Sequence, residues 1–235
     1  MAKRENISMS VIRRLPRYYR FLHQLKNMGV TRISSKELSE KMGSTASQIR
    51  QDLNCFGGFG QQGYGYSVDQ LCHEIGNILG IQHAHKCILV GVGNLGQAIA
   101  LHLSFELQGF KLIGLFDSDP AKIGTKLHGT AIQSTDSLPE FCKENHPAMA
   151  ILCVPRSAVP HLSDELYALG VRSFWNFSHY DIAMKYPDTV VENVHLNDSL
   201  MTLCYRISDE LLPASQEEEE TAPVDNKTDV KAEKK

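Results

Sequence analysis

The chain has 235 residues, 42% of them hydrophobic and 22% charged, which is ordinary for a globular protein. No apolar run reaches about 18 residues, and the opening segment "MAKRENISMS" lacks the apolar core of a secretion signal, so we expect a cytoplasmic protein. The six cysteines include no C-x-x-C pair, which argues against a zinc site and a disulfide framework. We predict no metal site, and a thiol switch at Cys55 stays an open alternative.

The net charge of −3 conceals an uneven distribution. Residues 1–66 hold eleven lysines and arginines against four acidic residues, whereas residues 209–235 hold four lysines against nine acidic residues. The end of the chain also has almost no aromatic or branched apolar residues, so we expect a disordered acidic tail over residues 211–235. The basic front region predicts an anionic polymer as partner.

The first 80 residues have the pattern of a winged helix. Apolar residues recur at three- and four-residue steps from Ser10 to Met28, which predicts one helix. A second helix is expected in "SSKELSEKMG", where Ser34 and Glu37 have capping-box spacing, and a third in "STASQIRQDLNCF". The glycines of "GGFGQQGYGY" suit a tight hairpin, and a fourth helix follows in "SVDQLCHEIGNILG". A helix-turn-helix followed by a hairpin indicates a winged-helix domain over residues 1–80.

The surface of this predicted domain carries cationic and amide side chains. Arginines near phosphates position a domain on DNA, and Gln and Arg side chains reach base edges in the major groove. A solvated charged face is the alternative interpretation. We predict double-stranded DNA as the partner, with contacts from Arg13, Arg17, Lys36, Ser47, Gln48, Arg50, Gln51, Gln61 and Tyr64.

From Lys86 onward the periodicity changes. Short apolar runs without polar alternation ("KCILVGV", "KLIGLFD", "AMAILCVP" and "VRSFWNF") are separated by helical stretches. Strands buried on both faces that alternate with helices predict a parallel α/β sheet, here a Rossmann-like domain over residues 81–194. A last amphipathic helix is expected from Leu196 to Ser208.

Gly91, Gly93 and Gly96 form the pattern G-x-G-x-x-G between the first of these strands and a helix. Such a turn lets the backbone approach a pyrophosphate at the helix N-terminus. Asp117 ends the next strand, where an acid binds ribose hydroxyls and favours NAD over NADP. We predict NAD(H) as the cofactor, with contacts from Gly91, Val92, Gly93, Asn94, Leu95, Gly96, Asp117, Val154, Pro155 and Asn176.

Three classes of function fit a nucleotide turn behind a basic front region. An NAD-dependent oxidoreductase needs a substrate domain and a proton-transfer residue, but few residues remain after the last predicted strand. No carboxylate can be assigned from spacing to orient His102, His179 or His195 as a base. A regulator that binds a CoA-type nucleotide is a further alternative, and Asp117 argues against it. The preferred hypothesis is a non-enzymatic, nucleotide-responsive DNA-binding protein.

Over residues 8–208 the sequence resembles the redox-sensing transcriptional repressor Rex family. The stretches that carry the resemblance occur in the expected order: "RLPRYYRFL", "SSKELSEKMGSTASQIRQDL", "FGGFGQQGYGY", "GVGNLGQAIA", "LFDSDPAKIG" and "VENVHLNDSL". The resemblance implies a homodimer with an N-terminal winged helix, a C-terminal Rossmann domain and a final helix, residues 195–210, swapped into the partner subunit. It also implies a palindromic operator that is released when NADH replaces NAD.

The sequence departs from the family pattern at two positions. His102 stands where members often carry a tyrosine, and His195 stands where they often carry an aspartate. The resemblance associates these positions, together with Arg20, with switching between subunits. Asp198, one turn beyond His195, is a candidate substitute for the missing aspartate.

Overall fold

The structure is a computed structural model that describes residues 7–57, 60–61 and 64–211. Its front part holds five helices and a small antiparallel sheet in the strand order β1-β3-β2. The helices are α1 Met9–Ile12, α2 Leu15–Asn27, α3 Ser35–Met42, α4 Ala46–Asn54 and α5 Val68–Leu79. The strands are β1 Arg32–Ile33, β2 Gly60–Gln61 and β3 Gly65–Ser67.

The prediction of one continuous helix from Ser10 to Met28 is wrong. The chain forms α1 and α2 instead, with Pro16 in the first turn of α2. Proline has no N–H to donate to the carbonyl of Ile12, and its ring would clash with that carbonyl in an unbroken helix. The break places Arg13 and Arg14 at the corner between α1 and α2.

The helix-turn-helix and the hairpin are confirmed. Ser34 and Glu37 form the reciprocal capping box of α3, and Gly43 ends that helix in the left-handed conformation at φ 60°. The Thr45 hydroxyl caps α4 by accepting from the Gln48 backbone N–H. The hairpin strands β2 and β3 pair as expected, whereas β1, only two residues long, has no sequence pattern and was missed.

The second part is a seven-stranded sheet in the order β10-β9-β8-β4-β5-β7-β6, parallel except for the edge strand β6. Its strands are β4 His85–Val90, β5 Phe110–Asp117, β6 Lys126–Leu127, β7 Thr130–Ser134, β8 Met149–Leu152, β9 Ser173–Asn176 and β10 Val190–Asn193. Its helices are α6 Asn94–His102, α7 Leu138–Asn145, α8 Val159–Ala168, α9 Ile182–Lys185 and α10 Leu196–Leu211, with short 3-10 helices at Phe105–Gln108 and Thr135–Ser137.

The parallel Rossmann-like sheet is therefore confirmed, although β6, β7 and β10 were not predicted from the sequence. In β10 the burial alternates between exposed and half-buried residues, so it lacks the continuous apolar run that marks the central strands. The four consecutive residues of β8 are all buried, as expected for the centre of such a sheet.

The two faces of the large sheet are covered differently. One face packs Val159, Leu162 and Leu166 of α8 against Phe174 and its neighbours. On the other face Ile99 of α6 and Phe105 cover the central strands, and Trp175 on β9 is only partly buried. Helix α10 leaves the sheet with its described side chains exposed. The acidic tail was predicted over residues 211–235; Leu211 is the last residue of α10, and residues 212–235 lie outside the described residues.

Candidate nucleotide cleft and nucleic-acid interface

The three glycines of the turn after β4 serve three different purposes. Gly91 has φ 96°, and a Cβ there would lie 2.5 Å from the Cys153 carbonyl oxygen. A Cβ on Gly96 would collide with the Gly91 carbonyl oxygen, so this glycine allows α6 to pack closely on the strand. Gly93 has φ −77°, and a Cβ there would meet nothing within 4 Å. Only Gly93 keeps space open for something outside the chain.

The N-terminus of α6 begins at this open position. Gly93 is the N-cap, and no side chain caps the first N–H groups of the helix. Asn94 and Leu95 are exposed in the first turn, while Val92 is completely buried beneath them. Uncapped N–H groups and the helix dipole together favour a phosphate group at this position.

Asp117 holds the turn in place. It is 7% exposed, and its Oδ2 accepts from the Val92 N–H at 2.7 Å and from Lys122 Nζ at 3.1 Å, while Oδ1 accepts from the Asp119 N–H at 2.9 Å. Burial opposes ionisation, but these hydrogen bonds and the Lys122 charge outweigh it and lower the pKa of Asp117. The carboxylate is therefore ionised and largely engaged by the chain itself, which the sequence did not indicate.

A cleft of about 450 Å³ opens at the carboxyl ends of β4, β5 and β8. Of the predicted cofactor residues, Gly91, Gly93, Asp117, Val154 and Pro155 line it. Residues that were not predicted also line it: Ser118, Lys122, Thr135, Asp136, Cys153, His161 and Glu165. Ligands of open α/β sheets bind at this edge, because the strand order reverses at β4 and leaves a crevice between neighbouring loops.

Asn176 does not belong to the cleft lining. It is completely buried, and its amide donates to the Tyr180 carbonyl at 2.7 Å and to Asn193 Oδ1 at 2.8 Å. Its Oδ1 accepts from the backbone and hydroxyl of Ser178. The structure thus gives this side chain an internal role, tying β9 to β10 and to the loop that follows.

The predicted DNA-contacting residues of α4 share one surface. Ser47, Arg50 and Gln51 are exposed and Gln48 is half-buried. Arg50 Nη1 donates to Ser35 Oγ at 3.0 Å, which extends the guanidinium along the N-terminus of α3. Three polar residues within the first five positions of α4 suit a recognition helix, whose N-terminal residues contact base edges.

The remaining predicted DNA contacts surround this helix. Arg13 and Lys36 are exposed, and Arg17 Nη2 donates to the Met42 carbonyl at the end of α3. Tyr64 is 70% exposed beside the hairpin, with the Arg32 guanidinium 6.0 Å from its ring centre. The side chain of Gln61 lies outside the described residues.

The candidate switch residues lie apart from one another along the chain. Arg20 is exposed on α2, His102 is exposed at the end of α6, and Asp198 is exposed in the first turn of α10. His195 stands just before α10, with its Nδ1 3.0 Å from His179 Nδ1 and the two rings nearly parallel. The single chain therefore brings His195 into contact with His179.

Neither Asp52 nor its partner Arg14 was singled out from the sequence. Asp52 is 1% exposed on α4 and accepts from both Arg14 Nε and Nη2 at 2.7 Å. The spacing Ile49–Asp52–Leu53 places it on the inward face of α4, which was the available signal.

None of the helices in the described part of the chain has the length and apolar character that a membrane crossing requires. Within residues 7–57, 60–61 and 64–211, no three His, Cys, Asp or Glu side chains are grouped as a metal ion would need.

Comparison with known protein families separates the same two parts of the chain. The family described as a putative DNA-binding protein N-terminus matches residues 6–54, and the family described as a CoA binding domain matches residues 82–180. The redox-sensing transcriptional repressor Rex of Clostridium perfringens is 50% identical over 208 residues, which cover 88% of this chain and 98% of that protein. The Rex repressor of Caldanaerobacter subterraneus subsp. tengcongensis is also 50% identical, over 90% of this chain and 94% of its own length.

The chain belongs to the Rex family. Solved structures of the Rex-family repressor RSP have the same fold. The complex of RSP with β-NAD+ and operator DNA has a TM-score of 0.82 and 47% identity, and it covers 93% of this chain and all of that one. The complex of RSP with β-NADH has a TM-score of 0.79 and 46% identity over 87% of this chain and 95% of that one.

Proposed function

We propose that this Rex-family chain is a transcriptional repressor that binds operator DNA and releases it when NADH replaces NAD. The observation that carries the proposal is the presence, in one chain, of a winged helix with a polar recognition surface and a nucleotide cleft. Solved Rex-family complexes at 46–47% identity contain NAD+ with operator DNA in one case and NADH in the other.

In this proposal α4 enters the major groove of the operator. Arg50 and Gln51 contact base edges, while Arg13, Arg17, Lys36 and other residues near the helix contact phosphates. The phosphate contacts release counterions, so the affinity for DNA falls steeply as the salt concentration rises.

The cleft residues bind the dinucleotide. The N–H groups at the start of α6 contact the pyrophosphate, Gly93 leaves room for it, and Asp117 with Lys122 fixes the loop beneath it. Asp119, half-buried in the loop after β5, is a second candidate for the ribose contact, since much of the Asp117 carboxylate is already engaged. The cofactor supplies a nicotinamide ring that is cationic in NAD+ and neutral in NADH.

A homodimer explains two apolar surfaces that have no cover within the described chain. Helix α10 exposes a row of apolar side chains, namely Leu196, Leu200, Leu203 and Ile207, each at least 44% exposed. An apolar groove of about 590 Å³, lined by Phe105, Phe110, Trp175 and Val190 among others, lies on the sheet face that α6 covers only in part. We propose that a second copy covers both surfaces by exchange of α10.

Operator titration tests the function. The full-length protein is mixed with a duplex selected from random DNA, with NAD+ or NADH added separately. An operator affinity that is a hundredfold weaker with NADH than with NAD+ corresponds to about 2.7 kcal/mol of coupling, within the usual range for allostery. By reciprocity, operator DNA must weaken NADH binding relative to NAD+ binding by the same factor. Equal affinities with both nucleotides would contradict the proposal.

The role as a regulator rather than an oxidoreductase has its own test. A regulator returns NADH chemically unchanged after repeated binding and release of DNA, as judged by absorbance and chromatography. Steady conversion of NADH with any added carbonyl compound would favour the enzymatic alternative instead.

Truncation tests the exchanged helix. A chain that ends at residue 194 should be monomeric by sedimentation and should not respond to NADH, because α10 and its apolar row are gone. A chain that ends at residue 213 is the matched control and should keep both properties. A monomer that still released the operator with NADH would contradict the proposed exchange.

A further inference from the structure

A buried, fully hydrogen-bonded carboxylate lies on the inner face of α4. Asp52 Oδ2 accepts from Arg14 Nε and from the Tyr18 hydroxyl, both at 2.7 Å. Asp52 Oδ1 accepts from Arg14 Nη2 at 2.7 Å and from Gln48 Nε2 at 2.8 Å. Since each carboxylate oxygen offers two lone pairs, these four donors fill the group completely.

The charge on Asp52 is stable in this setting. Burial opposes ionisation, but the hydrogen bonds from Arg14, Tyr18 and Gln48 and the charge of Arg14 outweigh it, so the pKa of Asp52 is lowered. Burial and the neighbouring carboxylate raise the pKa of Tyr18, so its hydroxyl keeps the proton that it donates. Loss of any one donor would leave an uncompensated lone pair on a carboxylate that is only 1% exposed.

Gln48 is the one donor of the four that also lies on the predicted recognition surface. It is the third residue of α4, and its backbone N–H is fixed by the Thr45 hydroxyl. Because Asp52 can only accept, the atom of Gln48 that faces it must be the amide nitrogen, which fixes the orientation of the side-chain amide. A free glutamine would exchange its oxygen and nitrogen by rotation, and this one is held from doing so.

The oxygen of the same amide is not sealed from solvent. No donor from the described residues reaches Gln48 Oε1, and no buried side-chain polar atom in that part of the chain lacks a partner, so Oε1 is in contact with solvent. One N–H of the amide serves Asp52. The amide keeps its second N–H and Oε1, and a glutamine N–H with its Oε1 is the donor–acceptor pair that matches N7 and N6 of adenine.

We propose that Gln48 reads an adenine in each operator half-site and that Asp52, Arg14 and Tyr18 are positioning residues for this contact. The inference rests on the proposed operator binding and specifies one base that the helix recognises. A Gln–Asp pair at i and i+4 stabilises a helix by itself, by about 0.2–0.5 kcal/mol. That local role needs neither a buried aspartate nor donors from Arg14 and Tyr18, which lie 38 and 34 residues away in sequence.

The test is a base-substitution profile of operator affinity. The full-length protein with NAD+ is titrated against a selected duplex and against every single base-pair replacement of one half-site, made symmetrically. Gln48→Met keeps the side-chain length and removes the hydrogen bonds. It should lower the preference for A·T at one position by roughly tenfold, because one bidentate contact contributes about that much discrimination between bases. The preferences at the other positions should not change. Gln51→Met, a second glutamine on α4, should act on a different position.

The positioning residues are tested by the same profile. Arg14→Lys keeps the positive charge but loses the two-pronged contact, and it should reduce the preference at the position that Gln48 reads. Asp52→Asn should also reduce this preference. When Gln48→Met is already present, neither change should reduce the preference for A·T at that position any further. A merely structural role would instead lower affinity for all sequences together and leave the profile unchanged.

The outcomes separate the two proposals. A wild-type protein without sequence preference would overturn the proposed function and this inference with it. A wild-type protein with a clear preference that Gln48→Met leaves unaltered at every position would overturn this inference alone. If Asp52→Asn fails to fold, Arg14→Lys decides the positioning role, and an unchanged profile in that variant refutes it.

Discussion

Asp52 on α4 and Asp117 at the end of β5 are both nearly buried carboxylates, 1% and 7% exposed, and each supports one of the two sites. Asp52 is held entirely by side chains, of which Arg14 immediately precedes α2 and Tyr18 lies on it. Asp117 is held mainly by backbone N–H groups of the loops around the cleft. The front site is therefore built from side chains that can be varied one at a time, whereas the cleft is built from backbone whose path tolerates little change.

The largest expected effect contrasts two glycines of the cleft. Gly96→Val should prevent the second domain from folding, because its Cβ would collide with the Gly91 carbonyl oxygen. Gly93→Val should fold and bind operator DNA but lose measurable NADH binding, because its side chain occupies only the open cleft. Fluorescence of Trp175, the single tryptophan, reports on folding of this domain. Normal NADH binding by Gly93→Val would contradict the placement of the pyrophosphate.

A smaller effect is expected at Asp117. Asp117→Ala removes the acceptor of the Val92 and Asp119 N–H groups, so we expect a loss of about 1–3 kcal/mol in the free energy of unfolding. The substitution should also weaken NADH binding and relax the exclusion of NADPH. Asp119→Ala is the matched control, because that side chain is 46% exposed and should affect nucleotide selectivity without a comparable loss of stability. Urea unfolding followed by tryptophan fluorescence, together with nucleotide titration, measures both effects.

The front site should respond to substitution in a graded way. Arg50→Ala should weaken operator binding by about 1–3 kcal/mol if the guanidinium contacts a base edge, with the loss concentrated at one base pair. Lys36→Ala, on the neighbouring helix, should weaken binding to all sequences equally and reduce the slope of log affinity against log salt by about one. A uniform loss from Arg50→Ala would instead make Arg50 a phosphate contact.

The smallest effect concerns acidity. The pKa values of Asp52 and Asp117 are lowered in the folded chain, so their contribution to stability is complete above the unfolded pKa of about 3.9. It is lost as the pH falls through the folded pKa, because protons then bind the folded state as well. Urea unfolding followed by tryptophan fluorescence between pH 7 and pH 3 should show that the free energy of unfolding falls toward pH 3. In Asp117→Asn this decrease should be smaller. An equal decrease in both proteins would mean that Asp117 is not the group responsible.

Local sequence determined most of the elements and the turn at the cleft. Capping residues such as Ser34 and Thr45, the apolar runs of β4, β5, β8 and β9, and the spacing of the three glycines are read within a few residues of chain. Hydrophobic periodicity and cap chemistry depend on neighbours one turn or one pleat away, so they can be recognised without knowledge of the fold.

Tertiary structure decided how the polar groups are used. Arg14, in the basic front cluster of the sequence, is a partner of Asp52, Asn176 is tied to Asn193, and His195 pairs with His179. Each of these hydrogen bonds joins residues at least 16 positions apart. No local pattern specifies such a pairing, because only the fold brings the two residues together. For Asp52 and Asn176, the need for a partner arises when packing removes the polar group from water.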